Sequence, residues 1–596
     1  MLSYCPPVRD MQFVLHDLLN AAPRLAELYP DLDLDASTID AVIREAGNFC
    51  AQTLWPLNAI GDLQGCKRNA AGEVSTPAGF KEAYLKFCEG GWSSLACDPQ
   101  DGGQGLPSVL NVALYELLGS TNLAWAGYPT LSFGAYHCLV ENGSVEQREK
   151  FASKLASGQW TGTMCLTEPH CGSDLGMIKT LAVPRADGTY AIRGTKTFIS
   201  SGEHDLAENI VHLVLARIDG APPGTKGISM FVVPKYLPAM DGLGPRNMVD
   251  CGVVESKMGI KGNATCELLF DGATGWLVGE PHSGLRAMFV MMNGARLAVG
   301  TQAVGLTDMA SQCSLEYAQQ RLQMRAAGGA TNPDGPADPI IVHPDVRRML
   351  LTQRAYGEGG RALTFWTAML LEESMRHPSR ATRESAAELG ALLTPIVKAF
   401  LTDNACEAAS LAVQVHGGHG YMCDSGVEQL LRDARILPIY EGTNGIQGLD
   451  LLGRKVLSGN GRSTLNRLLK MVEAECDDRA PRGPVTHATL DRMQLIVNSV
   501  RTATYRIAVQ AGSNPEAVGA AAHSFLRVIG HLVFSLLWVR MARLAHANFE
   551  ADRSFHAAKL ATAAFYFERL LPEVDGHLVI LSADAGSLAA PFETAG

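Results

Sequence analysis

The hydrophobic period of this chain changes twice along its length, and that excludes most architectures. Over about residues 36–160, apolar residues recur at helical spacing, around 39–54, 80–87 and 109–118. Over 161–278 the pattern switches. Residues 190–199 alternate and are rich in aromatic and β-branched side chains, and short apolar runs at 210–215, 228–233 and 268–270 are separated by Gly, Pro and Asp clusters. Short strands at this spacing predict a small antiparallel barrel or sandwich. Helical spacing returns over 279–458. It continues over 459–596, where 465–476, 490–510 and 516–548 read as helices and Asn514-Pro515 as a turn. Residues 1–35 read as an N-terminal extension. The expected fold class is multidomain α+β: a helical bundle, a small antiparallel β-barrel or sandwich, a second helical bundle, and an extra C-terminal helical segment.

Composition narrows the function. The chain has 596 residues and a formal net charge of -11. It is long enough to bury several cores without metal or disulfide support, and too acidic for a general nucleic-acid binder. Fourteen cysteines are scattered without a CxxC pair or a Cys/His cluster of zinc spacing. Buried free thiols in a reducing cytoplasm account for that distribution. The start of the chain has neither a basic region followed by an apolar one nor an Arg-rich amphipathic pattern, so no leader is expected. The apolar stretch 528–539 is short of the ~20 residues of a membrane span and reads as a buried helix.

Two glycine-rich stretches need separate readings. Asp101-Gly-Gly-Gln-Gly-Leu-Pro107 resembles a dinucleotide loop only superficially, because no strand precedes it and no acidic residue follows at the right distance. The stretch 326–339 is a long Gly/Pro-rich break between helical segments, of the kind that tends to be functional or mobile.

The chemistry concentrates at Leu437-Pro-Ile-Tyr-Glu-Gly-Thr-Asn-Gly-Ile-Gln447. Glu441 stands in the turn before a helix, beside a glycine that leaves room for a ligand. Asn444 with Gln447 fits a capping box for that helix. A lone loop glutamate is ordinarily a solvated surface residue, so the surrounding pattern has to carry the argument.

It does so by resemblance. Arg432-Asp-Ala-Arg-Ile-Leu-Pro-Ile-Tyr-Glu-Gly-Thr-Asn-Gly-Ile-Gln447 and Met164-Cys-Leu-Thr-Glu-Pro-His-Cys-Gly-Ser-Asp174 closely resemble the signatures of acyl-CoA dehydrogenases, and the helical–β–helical order matches that family's fold. The likeness covers about residues 36–455. The opening Tyr4-Cys-Pro-Pro-Val-Arg-Asp-Met-Gln-Phe13 and the extra C-terminal segment resemble the long bacterial subgroup, which includes 3-methylmercaptopropionyl-CoA dehydrogenases and medium- to long-chain fatty acyl-CoA dehydrogenases.

The resemblance implies a flavoprotein that uses FAD, removes the α-proton of an acyl-CoA, delivers the β-hydrogen to the flavin as hydride, and forms a trans-2-enoyl-CoA. It implies β-oxidation or dimethylsulfoniopropionate degradation as the setting, and a soluble, cytoplasmic enzyme. Glu441 corresponds to the base, and its backbone N–H to one donor of the oxyanion hole. Some relatives carry the base elsewhere, at the position of Ala295, which cannot take a proton here. Met164, Leu166, Thr167, Gly172, Ser173, Phe198, Ile199 and Ser200 correspond to flavin contacts, with Phe198 where a tryptophan is common. Arg321, Gln414, Gly417, Gly418 and Thr443 correspond to contacts with the FAD phosphates and adenosine, some of them of a neighbouring subunit. Arg321 is followed by Met324-Arg325 rather than the usual Phe-Gly, and Gly445 replaces a common glutamine. Ser173, Arg296, Tyr440 and Gly442 correspond to acyl-CoA contacts. His416 and His419 read as structural, because no acidic or Cys companion makes them a metal site. A homodimer or dimer of dimers is implied, with an electron-transferring flavoprotein as acceptor. An acyl-CoA oxidase on the same fold shares the glutamate. A non-catalytic FAD scaffold would not need it.

Overall fold

The structure is a computed structural model that describes residues 4–239 and 242–588. The outermost residues of the two expected end segments, 1–3 and 589–596, lie outside the described residues. The chain divides into two compact units, Glu45–Ala298 and Met1–Arg44 with Val299–Gly596.

The first unit builds a β-barrel against helices. Its longest helices are α1 (Ser108–Thr121) and α2 (Leu123–Asn142). Its main strands are β1 (Trp160–Cys165), β2 (Leu181–Pro184), β3 (Tyr190–Ile199), β4 (Asn209–Ile218), β5 (Ile228–Pro234), β6 (Val249–Val254) and β7 (Cys266–Val278). Pairing runs β7–β3–β2–β4–β5 and back to β7, a closed ring of five strands that removes most free sheet edges. β1 extends the sheet from β4, and β6 from β7. The ring is antiparallel except where β2 meets β4. The β1–β4 extension is also parallel, because a long connection rather than a hairpin joins each of those pairs. β4 and β5 are almost wholly buried, so they read as continuous apolar runs, whereas β3 mixes buried, half-buried and exposed positions.

The second unit is helical. The chain enters it within α3 (Gly284–Gln320) and continues through α4 (Pro344–Arg376), α5 (Arg380–His416) and α6 (Asn444–Leu449). The C-terminal segment adds α7 (Gly461–Asp477), α8 (His487–Ala511), α9 (Glu516–Ala547), α10 (Arg553–Phe565) and α11 (Glu573–Ser582). α5 and α9 are long and apolar enough to cross a membrane, but their most apolar windows are 78% and 94% buried in protein. α9 contains the stretch 528–539 and is a core helix, as the two polar flanks Arg527 and Arg540 suggest.

The break at 326–339 is held by one carboxylate. Asp338 is fully buried and accepts from the backbone N–H groups of Ala326, Thr331 and Asn332, while Arg325 reaches the carbonyls of Asn332 and Gly335. The Ala326 N–H, then the other amide donors, hold its carboxyl well below the usual range.

The N-terminal segment is fastened by buried charge. Asp10 meets Arg361 on α4 and Lys559 on α10. Lys559 also reaches Glu358 at 2.6 Å, and Arg361 reaches Asp308 at 3.3 Å. Burial would raise the Asp10 carboxyl, but Lys559 and Arg361 together bring it down from 3.8 to about 2. A carboxylate depressed in the folded state contributes stability above its unfolded pKa and loses it as pH falls through the folded one. Asp10→Asn is therefore expected to destabilise the protein at neutral pH by about 3–5 kcal/mol, the usual cost of breaking a buried pair. The difference in melting temperature from wild type should shrink as pH falls from about 4 towards 2. A difference that stays constant across that window would contradict the assignment.

Candidate active site

Glu441 lies in the second unit, in the turn between the chain leaving Ala434 and α6. Its backbone is left-handed, φ +57°, followed by Gly442 at φ +85°. A glutamate in that region costs free energy, and such strain persists only where neighbours over-determine it. Here they do. The Asn444 N–H donates to the Pro438 carbonyl at 3.0 Å and closes the turn. Gln447 Nε2 donates to the carbonyls of Glu441 and Gly442, each at 3.3 Å. Lys398 Nζ, fully buried on α5, donates to the Gly442 carbonyl at 2.8 Å and to Asn444 Oδ1 at 2.9 Å. The Asn444 amide donates in turn to the Ala399 carbonyl, Thr402 Oγ1 and Asp403 Oδ1.

This corrects one sequence expectation. The cap of α6 is Thr443, whose hydroxyl accepts the Ile446 N–H, and not Asn444. Asn444 is drawn onto α5 because a buried ammonium needs acceptors, and Gln447 reaches the turn carbonyls instead of forming a capping box. α6 is also pressed from its other side. A Cβ added at Gly448 would lie 3.1 Å from the Ala522 carbonyl of α9, so the C-terminal segment packs directly on the helix that follows Glu441. Tyr440 is half-buried. Burial first, and the neighbouring Glu441 second, push its hydroxyl above the ordinary range, so it stays protonated.

Arg321 and Gln414–Gly418 also belong to the second unit. Arg321 follows the end of α3 with an exposed side chain that makes no ion pair among the described residues. The end of α3 is brought against the end of α5 by Tyr317, which stacks on His416 at 4.2 Å and lies 3.3 Å from His419 Nδ1. The two histidines thus join helix ends, and His416 Nδ1 lies 2.8 Å from the Ala412 carbonyl. Gly417 takes φ +59°, and neither Gly417 nor Gly418 has an atom within reach of an added Cβ.

The remaining expected contacts lie in the first unit. The Thr197 N–H donates to the Thr167 carbonyl at 2.9 Å, which sets the stretch Met164–Ser173 beside Phe198–Ser200. Lys196 and Glu168 make this join, and sequence reading missed both. Lys196 Nζ, fully buried, donates to the Leu166 carbonyl and to Glu168, both at 2.9 Å, and Glu168 also accepts from Thr180 and the Lys179 N–H. Burial would raise the Glu168 carboxyl, but Lys196 and these donors hold it below the usual carboxylate range. Glu168, His170 and Cys171 place ligand atoms within 4.8 Å of one another, yet Lys196 already neutralises the carboxylate.

Phe198 is 65% exposed on left-handed backbone, φ +58°, and Ser201 shares that geometry at φ +57°. Asn263 fixes the turn by accepting the Ser201 N–H. An apolar ring held outward against both strain and solvation fits a flat aromatic ligand face, such as the ring system of a flavin. Leu166 and Ile199 are buried, Met164, Thr167 and Ser200 are half-buried, and Gly172 and Ser173 are exposed. Arg296, near the end of this unit on α3, is only 6% exposed, so it is no surface arginine.

Models of the acyl-CoA dehydrogenase N-terminal, middle and C-terminal domains match residues 66–159, 163–273 and 282–457, and an "Acetyl-CoA dehydrogenase C-terminal like" model matches 468–591. The chain belongs to the acyl-CoA dehydrogenase family. It is 42% identical to the 3-methylmercaptopropionyl-CoA dehydrogenase of Ruegeria pomeroyi over 96% of this chain and 97% of that one. It is 35% identical to a broad-specificity linear acyl-CoA dehydrogenase of Mycobacterium tuberculosis, covering 96% of each chain. Among solved structures, an acyl-CoA dehydrogenase from Bacillus anthracis complexed with FAD shares the fold at TM-score 0.74 and 22% identity, over 93% of this chain and 90% of that one.

Proposed function

We propose that this chain is an FAD-dependent acyl-CoA dehydrogenase in which Glu441 takes the α-proton of an acyl-CoA thioester. The observation that carries the reading is Glu441 itself, a carboxylate in strained backbone that three separate elements hold in place. A positioned general base contributes roughly 10²- to 10⁴-fold. Its backbone N–H is the protein's donor toward the thioester oxygen as negative charge develops there. FAD, when bound, supplies the acceptor for the β-hydrogen. Phe198, Ile199 and Ser200, with Met164, Leu166 and Thr167, would hold the flavin ring, and Gly172 and Ser173 its phosphate side. Arg321, Gln414, Gly417, Gly418 and Thr443 would hold the phosphate and adenosine parts. Ser173, Arg296, Tyr440 and Gly442 would line the acyl-CoA site.

The first candidate substrate is 3-methylmercaptopropionyl-CoA, supported by the 42% identity to an enzyme of that name over 96% of the chain. Linear fatty acyl-CoAs are the alternative, supported by the 35% relative. One methylene is worth only ~1–3 kcal/mol of discrimination, so pocket side chains rather than the shared site decide. The reading includes a cytoplasmic setting, which the fourteen free cysteines support. It also includes an electron-transferring flavoprotein as acceptor, which rests on the family alone.

Anaerobic mixing of the FAD-loaded protein with 3-methylmercaptopropionyl-, butyryl- and palmitoyl-CoA should bleach the flavin absorbance with one class. Readmitted air should restore it slowly, as for a dehydrogenase rather than an oxidase. Glu441→Gln should retain FAD and bind the thioester but bleach about 10²- to 10⁴-fold more slowly. Bleaching at the wild-type rate would refute the base assignment. The exposed Arg321 supports a second reading, that FAD spans two subunits and the enzyme is at least a homodimer. Sedimentation should then give no FAD-loaded monomer, and finding one would overturn that reading.

A further inference from the structure

Lys398 is the one charged residue in the run Leu389-Gly-Ala-Leu-Leu-Thr-Pro-Ile-Val-Lys-Ala-Phe-Leu-Thr402, and it is fully buried. A buried ammonium is retained only where acceptors meet it. Its ammonium donates to the carbonyl of Gly442, the residue immediately after Glu441, at 2.8 Å, and to Asn444 Oδ1 at 2.9 Å. The first bond fixes the direction of the peptide that follows two consecutive left-handed residues, and with it the direction in which the Glu441 side chain leaves the backbone. The second bond ties the first residue of α6 to α5, where Asn444 also meets Ala399, Thr402 and Asp403. Without the ammonium, the Gly442 carbonyl would, among the described residues, retain Gln447, a neutral donor at 3.3 Å. A charged donor at 2.8 Å makes roughly twice as strong a bond as a neutral one.

We infer that Lys398 is a positioning residue for the base: its buried ammonium sets the Glu441 turn in the geometry that proton removal needs, without touching the substrate. The inference rests on the reading of Glu441 as that base. Lys398 is distinct from Thr443 and Gly442, which the family resemblance already assigns to ligands. A misplacement of about 1 Å at a reacting group can cost 10²-fold in rate, which sets the size of the expected effect.

The test uses the FAD-loaded full-length protein with Lys398→Met, which keeps the chain length and removes the charge, and Lys398→Gln, which keeps one donor. Anaerobic bleaching is followed with whichever of the three thioesters above bleaches wild type fastest. The expected result for Lys398→Met is a limiting rate lower by about 10²-fold with little change in half-saturating concentration. Hydrogen exchange should rise over residues 438–446 and not elsewhere. Lys398→Gln should fall between Met and wild type on both readouts. If the Met variant does not fold or load FAD, the Gln variant carries the same test, with a lowered limiting rate and raised exchange expected. A variant that melts lower but bleaches at the wild-type limiting rate, with exchange over 438–446 unchanged, would overturn the inference and leave Lys398 a stability residue. Glu441→Gln, run alongside, separates the two claims. If it is inactive while Lys398→Met is fully active, only the positioning role falls. If it is itself fully active, the base assignment falls and takes the positioning role with it.

Discussion

A glutamate in left-handed backbone sits about 1–3 kcal/mol above its relaxed state, and the second unit is arranged around holding one there. Glu441 and Gly442 form a left-handed pair, in which the glutamate bears the strain. Lys398 holds the turn from α5, Gln447 from within α6, and α9 presses on α6 where Gly448 meets Ala522. Each support requires another element to be in place. α5 must be long and buried to present an ammonium without solvent. Gly448 must lack a side chain for α9 to approach. The C-terminal segment is therefore packed into the fold beside the Glu441 turn itself, and Asp10, Arg361 and Lys559 fasten the N-terminal segment to α4 and α10 of the same unit.

The first unit meets the corresponding problem at the edge that carries Phe198 with buried charge. β1 and β3 are not adjacent strands, so the loop after β1 needs its own attachment to β3. Lys196 and Glu168 provide it, with the Thr197 N–H bonded to the Thr167 carbonyl. The attachment leaves Phe198 exposed on strained backbone. A ligand that covered the ring would bury apolar surface now in contact with water, at roughly 25 cal/mol per Å².

Most of the architecture was legible in periodicity. Residues 190–199 form β3 with the expected bounds, although buried positions fall on both faces, since Lys196 and Thr197 are buried in succession. Strands buried on both faces were read from their continuous apolar runs at 210–215 and 228–233, and came out longer at the ends. The parallel pairings of β1 and β2 with β4 were not legible, since register and direction depend on contacts distant in sequence. The site divided the same way. Glu441 was found through its motif, but the residues that hold it were not, because a lone lysine in an apolar helix and a glycine within the short helix α6 carry no local signal of what they touch. The capping box misled for the same reason: Asn444 suits a cap by propensity, and a buried charge on α5 took it instead. Lys398 could have been suspected, since an isolated charge in an apolar run calls for a buried partner.

The central claim is that Glu441 removes the α-proton, and the most direct measurement isolates that step. A 3-thia-acyl-CoA has sulfur at the β-position and therefore no β-hydrogen to give up, so only proton removal remains possible. In D₂O, the FAD-loaded wild-type protein should exchange the α-hydrogens of this thioester for deuterium, seen by NMR as loss of the α-methylene signal. Glu441→Gln should leave that signal intact over the same time. Exchange by Glu441→Gln at the wild-type rate would place the base elsewhere and contradict the account.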